Sequence, residues 1–269
     1  MSTGSAERPI AKPRGTAHRV RVIIFRVVAT LAGLFFVVAV VLMASAPWVL
    51  LQPDQDVRTE LNRWFLTVAG SVDAITAGVL LALAQRPPRT LLVVELVGAV
   101  VAAGAIILPF QPSFAAILAI GVVPLIAYPY WRDVRMFPSW WTGVSRSVLI
   151  LAALAGAALL VTAAIALPRQ IGGTDPAAGG GWWSDYAEHA TVLALAGVLA
   201  ASRGPGWRIL RGLCSAVWLY LGLVAALVLT RHPGSWGRLG GAAALLAGIG
   251  FGVAAWRGPE REVTGTPRR

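Results

Sequence analysis

Long apolar runs, separated by short segments that carry most of the arginines, recur along almost the whole chain. A helix crosses the hydrocarbon of a bilayer with about 20 apolar residues. Eight segments meet that standard: 24–46, 64–84, 90–108, 113–131, 147–167, 184–202, 210–230 and 239–256. In hydrocarbon every backbone N–H and C=O must be satisfied within the protein, so such runs read as helices. The sequence therefore predicts an all-α, polytopic integral membrane protein of about eight transmembrane helices. Spans three and four are parted only by Pro109-Phe110-Gln111-Pro112, where two prolines make a break the simplest reading.

Composition excludes the alternatives. Charged residues are 13% of the chain, against about 25% in soluble domains, so a water-soluble fold could not cover its surface. The net charge of +11 would suit nucleic acid, but the arginines form short clusters between apolar stretches instead of one basic face. Membrane insertion selects that arrangement, and nucleic acid is set aside as a partner in favour of membrane lipids. The single cysteine, Cys214, cannot form an intrachain disulfide. Ala44-Ser45-Ala46 resembles a signal-cleavage site, but the run before it exceeds the 7–15 residues or so of a signal core, so a retained signal-anchor is expected. One lysine among 23 basic residues, with abundant Ala and Gly, points to a high-GC bacterial coding sequence.

Orientation follows from the basic residues. With the N-terminus inside, 18 fall in cytoplasmic segments and five (Arg58, Arg63, Arg169, Arg231 and Arg238) outside. Cytoplasmic loops are the ones enriched in Lys and Arg, so both termini are placed in the cytoplasm and the protein in the plasma membrane. Tryptophan favours the headgroup level, and ten of the eleven fall at expected boundaries: Trp48, Trp64, Trp182, Trp183 and Trp236 outside, Trp131, Trp140, Trp141, Trp207 and Trp256 inside.

The chain also reads as two four-helix halves, 19–132 and 147–257, arranged as a parallel repeat. Trp64 stands thirteen residues before Ala77-Gly78, as Trp183 stands thirteen before Ala196-Gly197. Each half opens with a span ending in proline (Pro47, Pro168) and closes on Trp-Arg. Between them, 133–146 carries Met136, Phe137, Trp140 and Trp141 and reads as a linker along the inner membrane face. The tails 1–18 and 258–269, rich in Pro, Gly and Arg, read as disordered.

Ionisable groups within the spans are the candidate functional residues, because charge in hydrocarbon is costly. Asp73 lies near the middle of span two among Gly70, Ala74, Ala77 and Gly78, a small-residue surface that should face other helices. It could carry a proton, ligate a cation or act as an acid or base, or it could be a protonated structural group. Glu95, near the inner end of span three, is expected to snorkel or to pair with Arg86 or Arg89. Asp185, Glu188 and His189 share one helix face. They could relay a proton or hold a metal, but Asp185 as N-cap with Glu188 three residues on reads first as a capping box, with no metal site. Gly248 and Gly252 read as a packing pair, and Pro124 as a bend.

No P-loop, Rossmann fingerprint, HExxH, CxxC or nucleophile elbow is present, so no cofactor is expected. Three functions remain open. One is a transporter or permease with the halves meeting around Asp73 and a small-molecule substrate. Another is a non-catalytic assembly or partner subunit. The last is an embedded enzyme acting on a lipid or isoprenoid-like substrate through Asp73, or Glu188 with His189.

Overall fold

In a computed structural model the chain is described over residues 16–48, 57–135, 143–173, 176–231 and 235–257, and those residues are all-α, with no strand among them. The principal helices are α1 (Thr16–Ala44), α2 (Val57–Gln85), α3 (Thr90–Ile106), α4 (Ala115–Ala127), α6 (Arg146–Gly172), α8 (Trp182–Ala201), α9 (Trp207–Leu223) and α10 (Gly237–Arg257). Two short ones, α5 (Trp131–Arg135) and α7 (Pro176–Gly179), lie between them.

Each expected span contains a helix, but the spans are not alike. Five helices are long and apolar enough to cross a membrane: Thr16–Ala44, Arg63–Gln85 within α2, Arg146–Gly172, Trp207–Val228 and Gly237–Arg257. Thr90–Ile106 and Pro112–Ala127 are apolar but shorter. Helix α8 (Trp182–Ala201) belongs to neither group. That helix carries Asp185 and Glu188 near its start, and 14 of its 20 residues are buried inside the protein. Neighbouring helices, not lipid, surround it.

The helices form two layers. The inner group is a ring in which α2 packs on α3, α3 on α8, α8 on α9 and α9 back on α2, with α2 also touching α8. Outside it, α1 lies on α2 and α4, α4 on α3, α6 on α8 and α10, and α10 on α9. This list of neighbours is unchanged when α1, α2, α3 and α4 are exchanged for α6, α8, α9 and α10. The two sets interlock through α2 against α9 and α3 against α8.

Large apolar side chains stand exposed along the outer helices, with Leu31 at 63% and Leu42 at 68% on α1 and Leu246 at 70% on α10. A monomer in water rarely exposes so continuous an apolar surface. Where α9 meets α10 the backbones come close. A Cβ on Gly222 would sit 2.7 Å from the Leu245 amide nitrogen, and one on Gly241 2.6 Å from that of Ala226. Beside this crossing α9 runs on as a π-helical turn, Val224–Val228. Gly248 and Gly252 do pack, against Leu219 and Ser215 of α9.

Several boundaries differ from expectation. Helix α1 begins at Thr16, so the last residues of the proposed 1–18 tail are helical. Residues 1–15, 136–142 and 258–269, with Trp140, Trp141, Met136 and Phe137, lie outside the described residues. Pro168 does not end its span, because α6 continues through it to Gly172. The missing N–H is one lost backbone bond, and neighbouring helices make such losses tolerable in membrane-type packing. Pro124 lies inside α4, which stops at Ala127. Below it, the Trp131 indole donates to the Leu125 carbonyl at 3.0 Å.

The tryptophans divide. Trp48 and Trp256 are exposed, as a headgroup position requires, but Trp64 and Trp183 are buried. The indole N–H groups of Trp64 and Trp236 both donate to the Tyr186 hydroxyl, at 3.4 and 3.0 Å. Trp236 also stacks on Trp218, with ring centroids 5.7 Å apart. An internal hydroxyl here replaces the headgroup as partner of the polar end of the ring.

Candidate functional site

Asp73 on α2 and Glu188 and His189 on α8 line one cavity of about 60 Å³. Its apolar wall comes from Phe36 of α1, Leu96 and Val100 of α3, and Phe114 and Ile117 of the turn and helix that follow. A water needs about 10–15 Å³ on this measure, so the space admits a few waters or a small ligand. The inner ring positions the acids. Gly70, one turn before Asp73, fits against the Met43–Ala44 backbone of α1, and Gly78 takes the Leu213 side chain of α9. The small residues around Asp73 therefore serve two packing faces, against α1 and α9.

The capping box is overturned. Helix α8 starts at Trp182, three residues before Asp185, and its N-cap is Gly181, with φ of 75° and no side-chain cap bond. In that left-handed conformation glycine is at ease and a β-carbon would be strained. The earlier start moves Glu188 nearly two turns into the helix, where it is buried and faces the cavity. Asp185 instead accepts a hydrogen bond from Gln111 Nε2 at 2.6 Å, and the same amide donates to the Gly181 carbonyl at 3.0 Å. His189 Nε2 lies 3.5 Å from Glu188 Oε2, a contact too long for a strong hydrogen bond. The ring is also held by the backbone of Asp185, one turn earlier.

The expectation for Glu95 also fails. It neither snorkels nor pairs with Arg86 or Arg89. Its side chain is 1% exposed, and both carboxyl oxygens are buried without a hydrogen-bond partner. Arg86 points outward, while Arg89 Nη1 donates to the Ala82 carbonyl at 3.1 Å, the end of α2. Packing against α8 explains the burial: a Cβ on Gly98 would fall 2.0 Å from Leu195 Cδ2, so α3 lies tight on α8 and leaves no route to the surface.

Glu188 is the electrostatic centre of these groups, within range of Asp73, Glu95 and Asp185. Among the described residues no lysine or arginine pairs with any of the four. Arg211, a buried cation of α9, makes no ion pair with them, and its Nη2 has no hydrogen-bond partner. Its Nε donates to Ala200 O at 2.7 Å and Nη1 to Ala254 O at 3.0 Å, closing the ends of α8 and α10. Several ionised carboxylates in one low-dielectric space repel strongly, so protons or a cation must accompany them. Nothing local in the sequence groups Asp73, Glu95 and the Glu188–His189 pair, and neither Gln111 nor Tyr186 stands out there from loop or span composition.

The fold defines a class, a multi-pass α-helical membrane protein. The chain matches no protein-family model, no curated protein and no solved structure.

Proposed function

We propose that the protein is a transporter or permease of a bacterial plasma membrane, crossing it eight times with both termini in the cytoplasm. In this reading Asp73 of the first half and Glu188 with His189 of the second form its ion or substrate site. One observation carries the reading: Asp73 and Glu188 are 115 positions apart in the sequence yet line one cavity between helices of the bundle. Intramembrane carboxyls that face a cavity mark ion and substrate pathways, and transporter sites form where repeated halves meet. The exchangeable neighbours of α1–α4 and of α6, α8, α9 and α10 support two such halves. Membrane lipid is the surrounding partner, and the substrate is a small molecule.

The test is flux through vesicles bearing the full-length protein, assayed over a panel of small ions, amino acids and sugars. Asp73→Asn should abolish any uptake or efflux the wild type supports while remaining in the membrane at the same level. Unchanged flux in that variant would remove the mechanism. The contact of His189 with Glu188 favours one second reading, an embedded acid–base enzyme acting on a lipid or isoprenoid-like substrate. It requires turnover of a membrane lipid by purified protein, lost in His189→Ala.

A further inference from the structure

We propose that the ion held at this site is the proton, shared among the carboxyls of Asp73, Glu188 and Glu95. The inference rests on the transport reading and names the ion it uses.

The carboxyls are staggered along the bundle and do not converge on a point. Gln111 follows the C-terminal end of α3 and bonds Asp185 in the first turn of α8, so α3 and α8 run antiparallel. Glu95, in the second turn of α3, therefore lies toward the opposite end from Asp185. Asp73 and Glu188 stand at the cavity, and Glu188 is in electrostatic range of all three other acids. A divalent cation needs about six oxygens gathered at one centre. Among the described residues no three His, Cys, Asp or Glu side chains are placed to hold a metal ion. A proton needs only one oxygen at a time.

Glu95 supplies the second, independent observation. It is a fully buried carboxyl with neither oxygen partnered, in apolar surroundings that make a lone charge costly. A proton removes that charge without any further ligand. The groups facing this region do not provide a countercharge. From α2 comes Asp73, from α3 Glu95, and from α8 Asp185 and His189. From α9 comes Cys214, in range of Glu95; Arg211 of the same helix keeps its charge, with Nε and Nη1 on the Ala200 and Ala254 carbonyls and Nη2 buried without a partner, and makes no ion pair with these acids. From α6, Arg169 lies over the Trp183 ring, 4.8 Å from its centroid. The step is a simple transfer: a carboxylic acid O–H gives its proton to a neighbouring carboxylate, directly or through cavity water. The donor becomes the carboxylate and no electrons change hands.

Dicyclohexylcarbodiimide tests this, since it adds to the protonated carboxyl and leaves a stable acylurea that mass spectrometry locates. The full-length protein would be labelled in vesicles of phosphatidylethanolamine and phosphatidylglycerol. The expected result is an adduct on at least one of Asp73, Glu188 and Glu95. Its yield should fall several-fold from acid to alkaline buffer, and Na⁺, K⁺ or Mg²⁺ at fixed pH should leave it unchanged. Protection by one of those cations would overturn the proton and leave the transport reading standing, as would the absence of any adduct on these three residues. Flux that survives in Asp73→Asn would instead count against the transport reading, whatever the labelling shows.

Discussion

Gln111 donates to the Asp185 carboxyl at 2.6 Å and so joins the turn between α3 and α4 to the first turn of α8, 74 residues further along the chain. The same amide nitrogen reaches the Gly181 carbonyl. The bond fixes the helix that carries Glu188 and His189 relative to the cavity wall formed by α3 and α4.

Gln111→Ala removes this donor and leaves a half-buried acid without it. Hydrogen bonds to charged groups contribute about 1.5–3 kcal/mol, so the variant should melt several degrees lower in detergent. Asp185→Asn should lose less, because an amide oxygen still accepts from Gln111. Thermal unfolding followed by tryptophan fluorescence checks the order, and equal melting of Gln111→Ala and wild type would refute it.

Glu95→Leu should behave in the opposite way. An unsatisfied buried polar group costs about 1–3 kcal/mol, so replacing this carboxyl by an apolar side chain of similar size should be neutral or stabilising. The melting temperature should hold or rise while flux falls, the signature of a residue kept for work at the expense of stability. A large drop in melting temperature would show that Glu95 has a structural partner.

Gly222→Ala and Gly241→Ala place a methyl group against backbone atoms of the facing helix. Backbone cannot rotate away, so each should cost about 1–3 kcal/mol. Gly212 has open space around its missing Cβ. Gly212→Ala should be neutral or gain about 0.5–1 kcal/mol from helix propensity. Denaturant or thermal melts of the three single variants separate the two behaviours.

Arg211→Lys keeps the charge but cannot reach both carbonyls or stack as the guanidinium does, 4.2 Å from the Trp207 ring centroid. The ends of α8 and α10 lose their shared donor. A loss of about 1.5–3 kcal/mol is expected, since lysine can keep one of the two charged hydrogen bonds. Amide hydrogen exchange should rise at Ala200 and Ala254 before it rises elsewhere.

Helix existence was legible in the sequence, because run length and the prolines at 109 and 112 set it locally. Helix role was not. Trp64 and Trp236 read as headgroup anchors because an indole needs one polar partner, and the sequence could not show that Tyr186 provides it from 122 and 50 residues away. Asp185 read as a cap because acids favour first turns. Gly181, free to adopt positive φ, caps the helix four residues earlier, and Glu188 is buried at the cavity. Glu95 lies close enough to Arg86 and Arg89 in sequence to suggest a pair. The close fit of Gly98 on Leu195 buries it instead. The meeting of Asp73 with Glu188 depends on α2 and α8 lying side by side, which no local pattern encodes.

The interlocking of α2 with α9 and α3 with α8 bears on how the chain is made. Synthesis delivers α1 to α4 first, and at that stage Glu95 lacks the α8 packing that buries it, while the cavity at Asp73 lacks the wall that Glu188 and His189 supply. The half-made protein is therefore its most vulnerable form. A chain truncated after Arg146 and released into the membrane should be far more sensitive to membrane proteases than the full-length chain.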